Sequence, residues 1–115
     1  TLRSRAVRTP SAAIVVLGVL GLACQPSVGE SPVELGRRAY VANCTACHHL
    51  DPTKDGTIGP AVAGSALALI EARVLRAEYP PGYTPKRASG LMPPQPFLKA
   101  QVPNLAAYLE SLAPN

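Results

Sequence analysis

The chain has 115 residues, a formal net charge of +4 and 47% hydrophobic residues, which is the size of one small domain. Its first basic residues, Arg3, Arg5 and Arg8, carry most of that excess charge, so the rest of the chain is close to neutral. This balance excludes any argument from charge for a nucleic-acid partner, and we predict none. With one phenylalanine, four tyrosines and no tryptophan, the chain has few large side chains for a core, so something else is expected to help fill it.

Residues 1–24 are predicted to be a bacterial signal peptide. A basic head precedes the uncharged apolar run 12–23, and Cys24 follows at once. As a helix this run would cover roughly 18 Å, short of a hydrocarbon core of about 30 Å, which favours cleavage over a stable span. The segment "LGLAC" resembles the lipobox of bacterial lipoproteins, so Cys24 is predicted to be lipidated at the mature N-terminus. The alternative is ordinary cleavage that leaves Cys24 as a free thiol.

Residues 25–30 have the composition of a short tether, and residues 31–115 are predicted to form the domain. The domain begins with "SPVE", a serine followed three residues later by glutamate, which is the pattern of a capping box around a proline at the first helical position. We expect a helix from Pro32 to about Cys47.

The remaining elements are read from turn residues and apolar spacing. Residues 50–64 are rich in turn signals and predict an ordered loop, and no segment alternates as a strand would. Ser65 is predicted to cap a second helix over residues 66–78. Residues 79–98 contain six prolines and predict a stiff, extended loop, after which a last helix is expected over residues 100–112.

The stretch "VANCTACHHL" places Cys44, Cys47 and His48 at positions i, i+3 and i+4, which share one face of a helical turn. C-x-x-C-H is the attachment signature of c-type haem, in which each thiol bonds a vinyl group and the histidine ligates the iron. We therefore predict one haem c, attached covalently through Cys44 and Cys47, with His48 as an axial ligand of the iron.

Three other uses of the two thiols fit the sequence less well. A thioredoxin-like pair needs a βαβ context, which the sequence lacks, and does not explain the histidine. A closed zinc site needs four ligands in a tetrahedral array, and His49 is too close in sequence to His48 to complete one. A disulfide between Cys44 and Cys47 would close almost no loop. Covalent haem is the favoured interpretation.

The opposite face of a haem iron needs a second ligand, and the chain offers few. His49 is too close to His48 in sequence to reach that face and is expected to point to solvent near the haem edge. The single methionine, Met92, lies far along the chain in the proline-rich loop, where Pro93 holds its backbone extended. Met92 is predicted to be the second axial ligand.

With Gly36 and Tyr40 in the first helix, and with "IGPAVAG", "LMPP" and "NLAAYLESL" further along, the motif resembles the class I mono-haem cytochromes c. The resemblance covers about residues 34–112. It implies an all-α cytochrome c fold, in which three to four short helices pack around one covalently attached haem with a long proline-rich distal loop.

The resemblance also implies particular contacts. The first and last helices should cross, with Gly36 admitting the aromatic ring of Tyr108. The carbonyl of Pro60 should accept a hydrogen bond from His48, which orients the imidazole and raises its basicity.

Other polar residues are weaker candidates for the site. Tyr83, Lys86 and Arg87 lie in the proline-rich loop and could bond a haem propionate, or remain solvated. The arginines of the first two helices are expected on solvated faces: Arg37, Arg38, Arg73 and Arg76.

Methionine ligation raises the reduction potential relative to a second imidazole, and two protein ligands leave no open site for a substrate. We therefore predict a one-electron carrier or relay subunit and no enzyme. It is expected on the periplasmic side of a bacterial membrane, anchored by a lipid on Cys24, or else soluble in the periplasm. Its partners are expected to be redox proteins, including a membrane respiratory or photosynthetic complex. The alternative is a haem enzyme or sensor for peroxide or small gases, with a labile or vacant distal site.

Overall fold

The computed structural model describes residues 28–88 and 90–115. The predicted signal peptide, Cys24 and the first three residues of the predicted tether lie outside the described residues. Over the two described ranges the structure contains helices and no strand. The helices in chain order are α1 (Pro32–Asn43), α2 (Leu67–Arg76), a 3₁₀ helix (Pro96–Gln101) and α3 (Val102–Ser111). The all-α fold with three to four short helices is confirmed.

None of the helices in the described part of the chain is long and apolar enough to cross a membrane.

The start of α1 follows the predicted pattern only in part. The Ser31 hydroxyl accepts a hydrogen bond from the Glu34 backbone N–H at 3.2 Å, as an N-cap should. The Glu34 carboxylate does not complete the capping box, because it accepts two hydrogen bonds from the Arg37 guanidinium at 2.9 and 2.6 Å. Glu34 therefore forms an ion pair with Arg37, one turn further along the helix, in place of the capping-box bond to the Ser31 backbone N–H.

The end of α1 comes earlier than the predicted Cys47. The helix stops at Asn43, and Cys44 is its C-cap. The Asn43 side-chain amide donates to the Ala39 carbonyl at 2.8 Å, so it competes with the backbone for an acceptor of the last turn. The first cysteine of the motif is therefore at the end of the helix, and the second lies beyond it.

Both ends of α2 also differ from the prediction. Ser65 is not the N-cap, because its hydroxyl donates to the Val62 carbonyl at 2.6 Å and closes the preceding turn. Ala66 occupies the cap position without a side-chain hydrogen bond. The helix ends before Ala77, whose φ of 56° is left-handed, so it does not reach the expected Glu78.

The proline-rich loop ends before residue 98, because the 3₁₀ helix begins at Pro96. A proline suits the first position of such a helix, where no backbone N–H is required. The last α-helix then starts at Val102 and keeps Pro103 in its first turn. We call residues 79–95, of which Ser89 is not described, the distal loop.

Helices α1 and α3 cross where Gly36 lies against the backbone of α3. A Cβ atom on Gly36 would lie 2.5 Å from the Asn104 carbonyl carbon and 2.8 Å from Tyr108 Cβ. One helix turn further on, the rings of Tyr40 and Tyr108 pack at a tilt of 55° with centroids 5.8 Å apart. The crossing at Gly36 that admits Tyr108 is confirmed.

The core is built from apolar residues of all four helices. Tyr40 and Leu105 are its most buried large side chains. The other buried members are Ala39, Ile70, Val74, Leu98, Val102, Ala106 and Leu109. Cys44 and Met92, which are far apart in sequence, are partly buried and pack against this cluster.

Candidate haem-binding site

A cavity of 510 Å³ lies beside the core, a volume within the range usual for ligand and cofactor sites. All the residues predicted for haem binding line it: Cys44, Cys47, His48, Pro60 and Met92. The fold therefore brings the C-x-x-C-H motif, the Pro60 loop and the distal loop to a single space.

The motif continues the helical path of α1 for one more turn. The Cys44 carbonyl accepts hydrogen bonds from the backbone N–H groups of Cys47 at 3.2 Å and His48 at 2.9 Å. Positions i, i+3 and i+4 of such a turn share a face. Both thiols and the imidazole thus reach the same wall of the cavity, although α1 itself has ended.

Burial raises the pKa of the Cys44 thiol to about 11, and the neighbouring Cys47 adds to the effect. The Cys44 side chain is therefore a neutral thiol at pH 7, in keeping with its contact to the apolar core. Across the described residues, no three His, Cys, Asp or Glu side chains come together as a metal-binding cluster, so nothing there supports the closed zinc alternative.

The imidazole of His48 is oriented by a backbone carbonyl. Its Nδ1 lies 2.9 Å from the Pro60 oxygen, a hydrogen bond that places the ring proton on Nδ1. In a neutral imidazole of this tautomer, Nε2 carries the lone pair that ligates a metal. Pro60 thus has the contact that the family resemblance implied.

Two glycines that the sequence analysis did not assign to the site hold a loop against the motif. In this loop, residues 55–61, which we call the proximal loop, a Cβ on Gly59 would lie 2.5 Å from the His48 ring, and one on Gly56 would lie 2.6 Å from the Cys47 carbonyl. Close backbone packing explains both glycines. In the sequence, both glycines were recognisable only as turn residues.

His49 does not line the cavity. Its side chain is exposed, as expected, and its Nδ1 accepts a hydrogen bond from the Asp51 backbone at 2.9 Å. Its carbonyl accepts the Tyr40 hydroxyl at 2.7 Å. His49 therefore connects the motif to the α1–α3 crossing.

Met92 enters the cavity from the distal loop. Its side chain is half-buried, and the loop is attached to α2 just beyond it, where the Gln95 N–H donates to the Val74 carbonyl at 2.6 Å. The structure places Met92 in the same cavity as His48. Its ligation of iron stays a prediction.

Lys86 and Arg87 both donate to backbone carbonyls, although the Lys86 side chain is exposed. Arg87 donates to the carbonyls of Ile58 at 2.8 Å and Gly56 at 3.2 Å, and Lys86 donates to the carbonyl of Ala61 at 2.8 Å. Their predicted contact with haem propionates stays a prediction.

Arg73 was expected on a solvated face, and that expectation is wrong. Its guanidinium lies 4.2 Å from the centroid of the Tyr79 ring, donates to the Ala77 carbonyl at 2.6 Å and lines the cavity. Tyr79 in turn stacks on Tyr83 with centroids 5.5 Å apart. The chain turns at the left-handed Ala77, and the Ala77 carbonyl and the Tyr79 ring then lie beside Arg73. The other three arginines are exposed: Arg37, Arg38 and Arg76.

These residues fit a haem c. The cavity has a mostly apolar lining, two thiols and an imidazole on one wall, and a carbonyl that fixes the tautomer of the imidazole. It also has a thioether from the distal loop, and cationic and phenolic groups able to bond carboxylates. A large apolar ring there would extend a core that contains few aromatic side chains of its own.

The family model for cytochrome c matches residues 33–113, which is most of the chain and includes every residue of the proposed site. No curated protein and no solved structure gave a significant match. Cytochromes c carry haem bound covalently through cysteine side chains and use it for electron transfer. The chain therefore belongs to the cytochrome c family and binds haem c covalently.

Proposed function

We propose that this protein is a one-electron carrier or relay subunit whose haem is attached through Cys44 and Cys47 and ligated by His48 and Met92. The observation that carries the proposal is that these four side chains line one cavity although Met92 is more than forty residues from the motif. The iron of the bound haem supplies the one-electron couple.

The protein's residues tune that couple. The Pro60 carbonyl, 2.9 Å from His48 Nδ1, orients the imidazole and makes it a stronger donor. The Met92 thioether favours ferrous iron relative to a second imidazole and so raises the reduction potential. If His48 and Met92 both ligate the iron, they would leave it no position for peroxide or a small gas.

Exposed apolar residues at the cavity support a small docking surface for a redox partner. Ile58, Leu91 and Phe97 all line the cavity, and Leu91 and Phe97 are 70% and 72% exposed. Redox encounters use small interfaces that form and separate quickly. The partner is proposed to be a redox protein or a membrane respiratory or photosynthetic complex, which copurification from native membranes would identify.

We further propose that the protein is exported and held on the periplasmic side of a bacterial membrane by a lipid on Cys24. Multiple acyl chains hold a protein stably, and tethering raises its effective concentration near membrane-bound partners. The intact mass of the mature protein measures the lipid directly. Movement of a Cys24→Ala variant from the membrane to the soluble periplasmic fraction would support the anchor, and a mature mass without added lipid would contradict it.

Absorption spectra test the ligands. The wild type should show a low-spin c-type spectrum with a weak sulfur-to-iron band when oxidised, and Met92→Ala should lose that band and bind carbon monoxide when reduced. Thr84→Ala is the matched control and should keep the wild-type spectrum, because Thr84 is an exposed residue of the same loop that does not line the cavity. A wild type that is already high-spin and binds carbon monoxide at once would replace this proposal with the enzyme or sensor alternative.

A further inference from the structure

The guanidinium of Arg87 joins the distal loop to the proximal loop. Its Nη1 donates to the Ile58 carbonyl at 2.8 Å and its Nη2 to the Gly56 carbonyl at 3.2 Å, across about thirty residues of sequence. The side chain is 33% exposed, and the Asp55 carboxylate lies 3.9 Å away. A rigid fork of N–H donors is suited to holding two carbonyls at a fixed spacing, whereas the three rotating donors of an ammonium group fix that spacing less well.

The other side of the proximal loop is held by the haem-attachment motif. The Gly59 N–H donates to the Cys47 carbonyl at 2.9 Å, and the Gly56 N–H donates to the Gly59 carbonyl at 2.8 Å. The loop is thus held between Cys47 on its inner side and Arg87 on its outer side. The Pro60 carbonyl follows directly after this turn, so its position depends on both attachments.

Lys86 and Asp55 strengthen the same arrangement on the far side of Pro60. The Lys86 ammonium donates to the Ala61 carbonyl at 2.8 Å, and the Asp55 carboxylate accepts the Ala61 N–H at 2.8 Å. Both neighbours of Pro60 are therefore in contact with groups that are fixed: Gly59 by the motif and Ala61 by Lys86 and Asp55.

We infer that Arg87 is a positioning residue that sets the strength of the His48–Pro60 hydrogen bond, and through it the reduction potential. The inference rests on the proposed ligation of iron by His48. Arg87 acts through the carbonyls of Ile58 and Gly56 and needs no contact with the haem. Because Arg87 belongs to the loop that carries Met92, one side chain couples the position of the distal loop to the donor strength of the proximal ligand.

The sign of the potential shift separates positioning from simple charge. A weaker bond from Nδ1 to Pro60 makes His48 a poorer donor, which favours ferrous iron and raises the midpoint potential. Loss of a nearby positive charge acts in the opposite direction, because ferric haem carries one more positive charge than ferrous haem. A change that keeps the charge and removes the fork isolates the positioning effect.

The test uses the haem-loaded protein and two substitutions, Arg87→Lys and Arg87→Gln. The matched controls are Arg76→Lys and Arg76→Gln, because Arg76 is an exposed arginine on α2 that pairs with Glu78 at 3.1 Å and does not contact the proximal loop. Two quantities are measured: the midpoint potential by voltammetry, and backbone hydrogen exchange of the segment 55–61 by mass spectrometry.

We expect Arg87→Lys to raise the midpoint potential and to speed exchange in segment 55–61 by roughly tenfold, because two charge-assisted hydrogen bonds are weakened. The Arg76 variants should match the wild type in both measurements. An unchanged potential in Arg87→Lys would overturn the inference, whether or not exchange becomes faster, and so would a fall in potential in Arg87→Gln with wild-type exchange.

Failure of the proposed ligation by Met92 would be detected separately, as a high-spin spectrum of the wild type. In that case the exchange rates and the sign of the Arg87→Lys shift still decide the role of Arg87, because neither measurement requires Met92 to bind iron.

Discussion

Replacing Gly36 by alanine should destabilise the fold, although alanine is the better helix former. The added Cβ would lie 2.5 Å from the Asn104 carbonyl carbon and 2.8 Å from Tyr108 Cβ. Carbon atoms in contact prefer about 3.5–4.0 Å, so α3 would have to retreat by roughly 1 Å along the whole crossing. The nearest atoms belong to backbone, so no side-chain rotation can relieve the overlap.

Two opposing free energies give the magnitude. Overpacking of a close interface costs about 1–3 kcal/mol and occasionally more, and backbone overlap places this site at the upper end. Alanine recovers about 1 kcal/mol of helix propensity. The net loss should be about 2 kcal/mol of unfolding free energy, or roughly 10 °C in Tm for a domain of this size.

The measurement is thermal and urea unfolding of the haem-loaded protein, followed by circular dichroism at 222 nm. Gly29→Ala is the control, because a Cβ at Gly29 would have no atom within 4 Å. A Gly36→Ala variant as stable as the wild type, or more stable, would refute the close crossing of α1 and α3 and leave only the propensity effect.

Three further changes test other contacts. Tyr40→Phe removes the 2.7 Å hydrogen bond to the His49 carbonyl and should lower the free energy of unfolding by about 1 kcal/mol in urea titrations; an unchanged midpoint would show that this bond adds nothing. Ser31→Ala removes the N-cap of α1 and should cost about 1 kcal/mol in the same assay, and a cost near zero would mean that water replaces the cap. Gly59→Ala would bring a Cβ to 2.5 Å from the His48 ring and push the proximal loop away, so the midpoint potential should rise by about 30–60 mV in voltammetry; a fall would contradict the assigned role of the loop.

Some features of the site follow from local sequence. Cys44, Cys47 and His48 share a face because positions i, i+3 and i+4 are neighbours on any helical turn, and the structure retains that turn beyond the end of α1. The start of α1 is equally local, because Ser31 caps a backbone group only three residues away. The crossing at Gly36 came from the family resemblance, since a glycine in a helix is by itself only a mild weakness.

The ends of the helices depended on competition that the spacing of apolar residues does not reveal. The Asn43 side-chain amide donates to the Ala39 carbonyl, and α1 ends before Cys47. The Ser65 hydroxyl donates to the Val62 carbonyl in the preceding turn and does not cap α2. Short polar side chains such as these can hydrogen-bond to the nearby backbone in more than one way.

The sequence by itself therefore determined the haem-attachment turn, the all-α class and the identity of the single methionine, because each depends on residue type and on neighbours within one or two turns. Only the tertiary structure decided what surrounds that turn. Arg73 lines a cavity that the haem-attachment motif and the distal loop also line, and Arg87 holds the proximal loop across about thirty residues of sequence. The contacts of Arg87 form only when the distal and proximal loops come together, because its partners are backbone carbonyls that every residue possesses and no local pattern distinguishes.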